Sequence, residues 1–318
     1  MAGGALIGPG PIFGLLSALS WGAGDFSGGV ISRYASTFTA VMTAQVLGLA
    51  GTLLWLPFSA EAPLSGQAVM FAILAGAFGV SGLFCFYYAL GRGTMGVIAP
   101  ISALIGAGGP VLLAIYNGEH VSAFRLAGII LALVAVVLIS LPGGESTPAE
   151  QRRVRLDMRE LPIVILSGLG FAGFFVFIGH ATADGGVLWP LAVVRTVGVA
   201  MVLAGFTFLL LRTPAVPLRQ RASKLLGIPR LRSWPGSRLA LIGVFVIAGL
   251  GDLGGNFFFV TAQHVDLFSV AVVLASLYPV VTTVLAVLLL RERLRGLQIA
   301  GITMATLSVV LLSNAFGV

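Results

Sequence analysis

Ten times along its 318 residues this chain turns apolar for about twenty positions, and that recurrence leaves few folds open. At 1.5 Å of rise per residue, about 20 helical residues cross the ~30 Å hydrocarbon core of a bilayer. The runs lie near 11–31, 38–58, 68–90, 94–116 and 122–142, then 161–182, 186–211, 239–262, 267–290 and 296–315. A backbone in hydrocarbon has no water to bond with, so each run is expected to be a helix that satisfies its own N–H and C=O groups. With 58% apolar and 9% charged residues, the chain could not cover a water-facing surface. The fold expected is therefore an all-α membrane protein, with the lipid bilayer as its surroundings. The net charge of +7 resides in short connections rather than on one face, so no nucleic-acid partner is expected. Cys85, the single cysteine, lies inside an apolar run, which excludes a disulfide framework within one chain and a Cys-based metal site. Residues 11–31 read as a retained helix, because no cation precedes them and no small-residue cleavage site follows.

Between the fifth and sixth runs stands the polar stretch Pro142-Gly-Gly-Glu-Ser-Thr-Pro-Ala-Glu-Gln-Arg-Arg-Val-Arg155, rich in breakers and charge. The expected division is a first five-helix repeat at 1–142, a linker at 143–160 and a second five-helix repeat at 161–318. The halves resemble each other. Setting Glu119 against Glu292 matches Ala127-Gly-Ile129 with Ala300-Gly-Ile302 and Val136-Val-Leu138 with Val309-Val-Leu311, nine identities in twenty-two positions from Glu119 to Ser140. The same register pairs Phe84, Phe86 and Ala89 with Phe257, Phe259 and Ala262, which makes duplication the simplest account. Because five is odd, the second copy enters the membrane from the opposite side, giving inverted repeats.

Charge supplies an independent test. Arg and Lys collect in the connections after odd-numbered runs (Arg33; Arg92; Arg152 to Arg159; Arg212 to Arg238; Arg291 to Arg295), whereas the even-numbered connections hold only Arg125. The enrichment of cations in cytoplasmic loops then places the odd connections inside and both termini outside.

Ala18-Leu-Ser-Trp21-Gly22 in the first run, Tyr87-Tyr-Ala-Leu90 in the third, Ser276-Leu-Tyr-Pro279 in the ninth and Arg291-Glu-Arg-Leu294 after it resemble the EamA-like, ten-helix type of the drug/metabolite transporter superfamily. Gly118-Glu119-His120 is a weaker copy in the first half, with Gly106 where the proline opposite Pro279 would stand. The resemblance spans nearly the whole chain and implies transport through a central cavity that opens alternately to each side. It places Trp21, Tyr87 and Tyr278 at the cavity wall, and it leaves the cargo open among amino acids, sugars, nucleotide sugars and drugs. Members of that family commonly keep both termini in the cytoplasm, whereas the charges here place them outside.

Few ionisable groups lie within the runs: Asp25 in the first, Arg195 in the seventh and Asp252 in the eighth, with His180 and Asp184 near helix ends. Asp or Arg at a helix centre costs about 2.5–3.5 kcal/mol on insertion scales, so each should face a partner, a cavity or water. Asp25 either bonds to backbone in its glycine-rich segment or faces the cavity as a proton site or a contact for a cationic substrate group. Arg195 and Asp252, on consecutive runs, form either an ion pair that holds two helices together or a substrate grip in which the guanidinium takes a carboxylate or phosphate. Asn256 lies one turn beyond Asp252 on the same face, while Gln45 reads as a helix–helix contact. Glu119 and Glu292 read as helix-end caps. Pro110 and Pro279 allow bending. The patterns Gly168-x-Gly170-x-x-Gly173 and Gly249-x-Gly251-x-x-Gly254 match a dinucleotide fingerprint but lie inside apolar runs with no preceding strand, so they read as helix-packing glycines, as do Gly24 with Gly28 and Gly251 with Gly255. His120, His180 and His264 lack companions at ligand spacing, and no metal or other cofactor is expected.

The reading that follows is a multi-pass carrier of the cell's inner or plasma membrane, taking a small polar or amphipathic solute through a cavity lined by Trp21, Asp25, Tyr87, Arg195, Asp252, Asn256 and Tyr278. Protons are a candidate coupling ion and a homodimer is left open. No Gly-Lys-Ser/Thr phosphate loop is present, so a gradient should drive it. The rivals are an integral-membrane group-transfer enzyme, which would call for clustered carboxylates or histidines, and a non-transporting scaffold, which would have no need of charge at mid-membrane.

Overall fold

Each of the ten apolar runs is helical in the computed structural model of the protein, which describes residues 8–92, 95–140, 160–212, 217–290 and 296–313. The first half holds α1 (Pro9–Tyr34), α2 (Thr37–Trp55), α3 (Gly66–Leu90), α4 (Met95–Tyr116) and α5 (Ala123–Ser140). The second holds α6 (Leu161–Ala181), α7 (Leu188–Leu211), two short helices α8 (Leu218–Leu225) and α9 (Ile228–Leu231), then α10 (Arg238–Val265), α11 (Phe268–Ala275), α12 (Tyr278–Leu290) and α13 (Gly296–Leu312). Among the described residues no strand occurs, and seven helices are long and apolar enough to cross a membrane. The other three runs differ from expectation in degree: α5 and α13 are shorter apolar helices, and α1 is diluted by glycine, serine and Asp25. The polar linker, Glu292 and the Arg291 to Arg295 segment lie outside the described residues.

The ninth run is not one helix. Ser276 and Leu277 form a turn between α11 and α12, and Pro279 follows in the first turn of α12, where its missing N–H and fixed φ are tolerated. The corresponding α4 runs unbroken through Pro100 and Pro110, with Gly106 opposite Pro279. α8 was not foreseen, although Leu218 and Leu225 sit seven residues apart with Arg219, Arg221 and Lys224 between them. That is the pattern of a short helix lying at an interface.

The packing pairs helices across the two halves. α1 lies along α10 and α3 lies along α6 over the most extensive contacts in the protein, while α2 packs on α7 and α5 on α13. Exchanging first run with sixth and third with eighth turns the first pair into the second and leaves the other pairs unchanged, as two-fold-related halves require. Glycines make the close approaches possible: a Cβ on Gly251 would lie 2.7 Å from the Ser20 carbonyl oxygen and 2.8 Å from Gly24 Cα, and one on Gly170 would lie 2.5 Å from Gly82 Cα. Gly168 and Gly173 of the discarded fingerprint press on Ile105 and Phe78 in the same manner. Gly251→Ala should therefore destabilise the purified protein by about 1–3 kcal/mol, because backbone cannot move aside as a side chain can. Gly243→Ala, on the same helix with open space around it, should be neutral or stabilising by up to about 1 kcal/mol. Thermal unfolding in detergent compares the two, and equal effects would contradict the close-packing account.

One end of the bundle is tied across the halves by charge. Glu61, before α3, accepts the N–H groups of Leu188 (2.9 Å) and Trp189 (3.2 Å) at the start of α7. Glu119 accepts the N–H of Ser269 at 3.1 Å, so it caps α11 rather than α5, the helix that follows it. Arg125 pairs with Asp266 at 2.9 Å, and Asp266 also accepts the Leu267 N–H at 2.8 Å. Carboxylates at helix N-termini complement the helix dipole and its free N–H groups.

Candidate central cavity

Where α1 crosses α10 the chain lacks side chains at Gly24 and Gly251, and the next residue on each helix is an aspartate. Asp25 is 6% exposed and Asp252 is 7% exposed, both deep in the bundle. Arg195 reaches Asp252 from α7 and is 2% exposed. Its Nη1 donates to the Asp252 carboxylate and, at 3.4 Å, to Gln45 Oε1, while Nη2 donates to the Asp252 carbonyl at 3.1 Å. Room for this long side chain comes from Gly48 on α2, whose Cβ would sit 2.8 Å from Arg195 Nε. Gln45 in turn passes over Gly198, where a Cβ would come within 2.3 Å of its Oε1. Asn256, one turn beyond Asp252, donates to the Asp252 carbonyl at 2.6 Å and to its carboxylate at 3.3 Å. Asp252 is thus held by both Arg195 and Asn256.

Asp25 is held less fully. Tyr87 of α3 donates its hydroxyl to Asp25 Oδ1 at 3.3 Å, in space that Gly28 leaves free. Two carboxylates therefore share one buried neighbourhood with a single guanidinium, and the guanidinium is taken by Asp252. A buried charge without a partner is among the costliest arrangements in a protein, so the cluster is suited to gaining one positive charge.

These groups line a cavity of about 60 Å³ between the halves. That is room for a few waters at roughly 10–15 Å³ each, too little for a metabolite. The lining is mixed. Trp21, Asp25, Arg195, Asp252 and Asn256, from α1, α7 and α10, supply its charged and polar groups. Val80 and Leu83 of α3 with Phe171, Phe174 and Phe175 of α6 supply an apolar part. Trp21 touches both, edge-on to Phe175 of α6 at 5.7 Å and stacked on Phe259 of α10 at 5.9 Å. The helix break supplies Ser276 and Tyr278, and the Tyr278 hydroxyl reaches the Ala99 carbonyl of α4 at 3.5 Å. The Ser276 hydroxyl is buried at the cavity without a hydrogen-bond partner among the described residues.

Of the seven residues singled out from sequence, the structure brings Trp21, Asp25, Arg195, Asp252, Asn256 and Tyr278 to this one cavity, and the seventh, Tyr87, bonds to Asp25. Gln45, read as a helix–helix contact, does bridge helices and also lines the cavity. The phenylalanines of α6 were missed, although 171, 174 and 175 share a helix face by spacing alone. His180 and Asp184 take no part in this cavity, and among the described residues no His, Cys, Asp or Glu group has the make-up of a metal site.

The EamA-like transporter family model matches residues 8–141 and again 158–314, nearly the whole chain in two segments. The chain belongs to the EamA-like transporter family. Members of this family are generally transporters rather than enzymes, and an EamA-like chain with apolar helices of this length is an integral, multi-pass membrane protein. Among curated proteins none matches. A solved crystal structure, described only as that of a protein, superposes with a TM-score of 0.65 over 97% of this chain and 99% of that one, at 16% identity. Identity that low speaks for the shared fold alone.

Proposed function

We propose that this EamA-like protein is a secondary transporter of a small polar or amphipathic solute, working in the inner or plasma membrane by alternating access around the central cavity. Ten spans arranged as two inverted five-helix repeats, 1–142 and 161–318 joined by the linker at 143–160, supply the two-fold-related halves that such rocking needs. The observation that carries the reading is a cavity between the halves lined by two carboxylates, one guanidinium and the phenylalanines of α6. A scaffold gains nothing from burying such a set, and stability alone would be served as well by apolar side chains.

In this reading Asp252, Asn256 and Arg195 form the fixed charged part of the lining, and Asp25 is the group that changes partner. A proton compensates Asp25 while the cavity is small, and that proton or a cationic group of the solute is exchanged there when the cavity widens and water enters. Trp21, Tyr87 and Tyr278 shape the space, with the α6 phenylalanines taking the apolar part of the solute. The broken ninth span brings Ser276 to the same place, as discontinuous helices do in other carriers.

The test begins with a metabolite screen by thermal shift on the purified protein, since a ligand that binds only the folded state raises the melting temperature. Hits are then assayed for movement into reconstituted vesicles. Concentrative or exchange transport of a hit is the expected result. Hits that stabilise the protein at the cavity, shown by loss of the shift in Trp21→Ala and Phe175→Ala, yet never cross the vesicle membrane in either direction, would replace the carrier with a membrane receptor.

A further inference from the structure

At the end of the bundle away from Glu61 and Glu119, the ends of α1, α3 and α7, the start of α2 and the helix α8 enclose a groove of about 1120 Å³. Five cations line it, Arg92, Arg212, Arg221, Lys224 and Arg230, and among its described lining residues there is no carboxylate. Its floor is apolar, with Phe84, Phe208 and Leu209. Two of the guanidinium groups lie over aromatic faces, Arg92 at 3.5 Å from the Tyr88 ring and Arg212 at 4.7 Å from that of Phe208. Arg221 donates one N–H to the Leu210 carbonyl at the end of α7, while its Nε is buried without a partner among the described residues. The hydroxyl of Ser32, 5% exposed, also lines the groove and has no hydrogen-bond partner among the described residues.

α8 is held in place and does not drift on the surface. The Thr39 hydroxyl donates to the Leu226 carbonyl at 2.7 Å, and Gly227, with φ of 71°, rests against the Ala35 carbonyl where a Cβ would come within 2.1 Å. Beside the groove the surface is apolar: Phe208 is 56% exposed, Leu211 71% and Leu218 61%. Cations above and an open apolar flank below are the two halves of an amphiphile's outline.

We propose that this groove is a binding site for an anionic phospholipid, whose phosphate lies among Lys224, Arg230, Arg221 and Ser32 and whose acyl chain leaves along Phe84, Phe208 and Leu209. A free phosphate compound would have use for the cations but none for the apolar flank. Cation clusters beside membrane helices attract anionic headgroups, and basic pockets between helices hold them in place.

The experiment uses the purified full-length chain in detergent, titrated with phosphatidylglycerol or phosphatidylcholine and followed by thermal unfolding and by retained lipid in native mass spectrometry. Phosphatidylglycerol should raise the melting temperature and remain bound, and phosphatidylcholine should do neither. Lys224→Gln with Arg230→Gln should weaken phosphatidylglycerol binding about ten-fold or more. Arg219→Gln with Arg232→Gln, on the same segment but not lining the groove, should leave it nearly unchanged. Ser32→Ala keeps every cation and should also weaken binding, so it decides the matter if the double variant fails to fold. Equal losses in the two double variants would reduce the effect to diffuse charge and overturn the site. Displacement of the lipid by glycerol phosphate at equal concentration would overturn the lipid assignment in favour of a soluble phosphate ligand.

Discussion

Arg195→Met should be the most damaging single substitution in the protein, costing about 3–5 kcal/mol, the usual penalty for removing one partner of a buried ion pair. The reason is what stays behind. Asp252 would keep only Asn256, and Asp25 would remain close by, so two carboxylates would share the core with no cation. Arg195→Lys should be only partly tolerated. An ammonium group cannot meet the Asp252 carboxylate, the Asp252 carbonyl and Gln45 together as the planar guanidinium does. Arg195→Met combined with Asp252→Leu should recover much of the loss, because removing both partners leaves no orphaned charge. The check is thermal unfolding of the four proteins in one detergent. A single variant as stable as the parent would mean that Arg195 does not hold the bundle together. If Arg195→Lys instead keeps the parent's stability but no longer binds a ligand that the parent binds, the guanidinium serves the solute.

Asp25→Asn should do the reverse, leaving the fold intact and removing the drive. Asparagine keeps an oxygen for the Tyr87 hydroxyl to bond and removes the charge that Arg195 does not reach. The purified variant should therefore melt no lower than the parent. In vesicles, one proton moved down a gradient of one pH unit can sustain about ten-fold accumulation of a solute, since 1.4 kcal/mol is a factor of ten. The parent should approach that ratio, and Asp25→Asn should equilibrate the solute without accumulating it, at a rate no longer dependent on pH. Full accumulation by the variant, with its pH profile unaltered, would remove Asp25 from the coupling step. Asp252→Asn should lose stability along with activity, because its carboxylate is a structural partner of Arg195.

Much of the fold was legible because hydrocarbon imposes a single demand on the backbone, and a run of twenty apolar residues meets it in one way. The two segments matched by the family model correspond to the resemblance read from motifs such as Ala18-Leu19-Ser20-Trp21-Gly22 and Tyr87-Tyr88-Ala89-Leu90. The site was legible for the same reason: charges as costly as Asp25, Arg195 and Asp252 must gather somewhere, and they gather together. What periodicity could not convey was direction. Within an apolar run Phe174 and Phe175 look like lipid-facing residues, and only the neighbours of α6 turn them inward. Glu119 looked like a cap for its own helix, yet it reaches across to α11, a contact 150 residues away along the chain. α8 is hidden in the sequence because Arg219, Arg221 and Lys224 already have a topological reading as loop charge, which masks their place on a short helix.

The interruption at Ser276 and Leu277 has no counterpart in α4, and this has a bearing on direction. Were the halves interchangeable, swapping their shapes would convert the inward-open form into the outward-open form at no cost, and a carrier at rest would divide its time equally between them. A helix broken at one gate, facing an unbroken one at the other, ends that equality. In the proposed alternating-access cycle one orientation then becomes the resting state, and the solute should meet a different affinity on each side of the membrane even when no gradient is present.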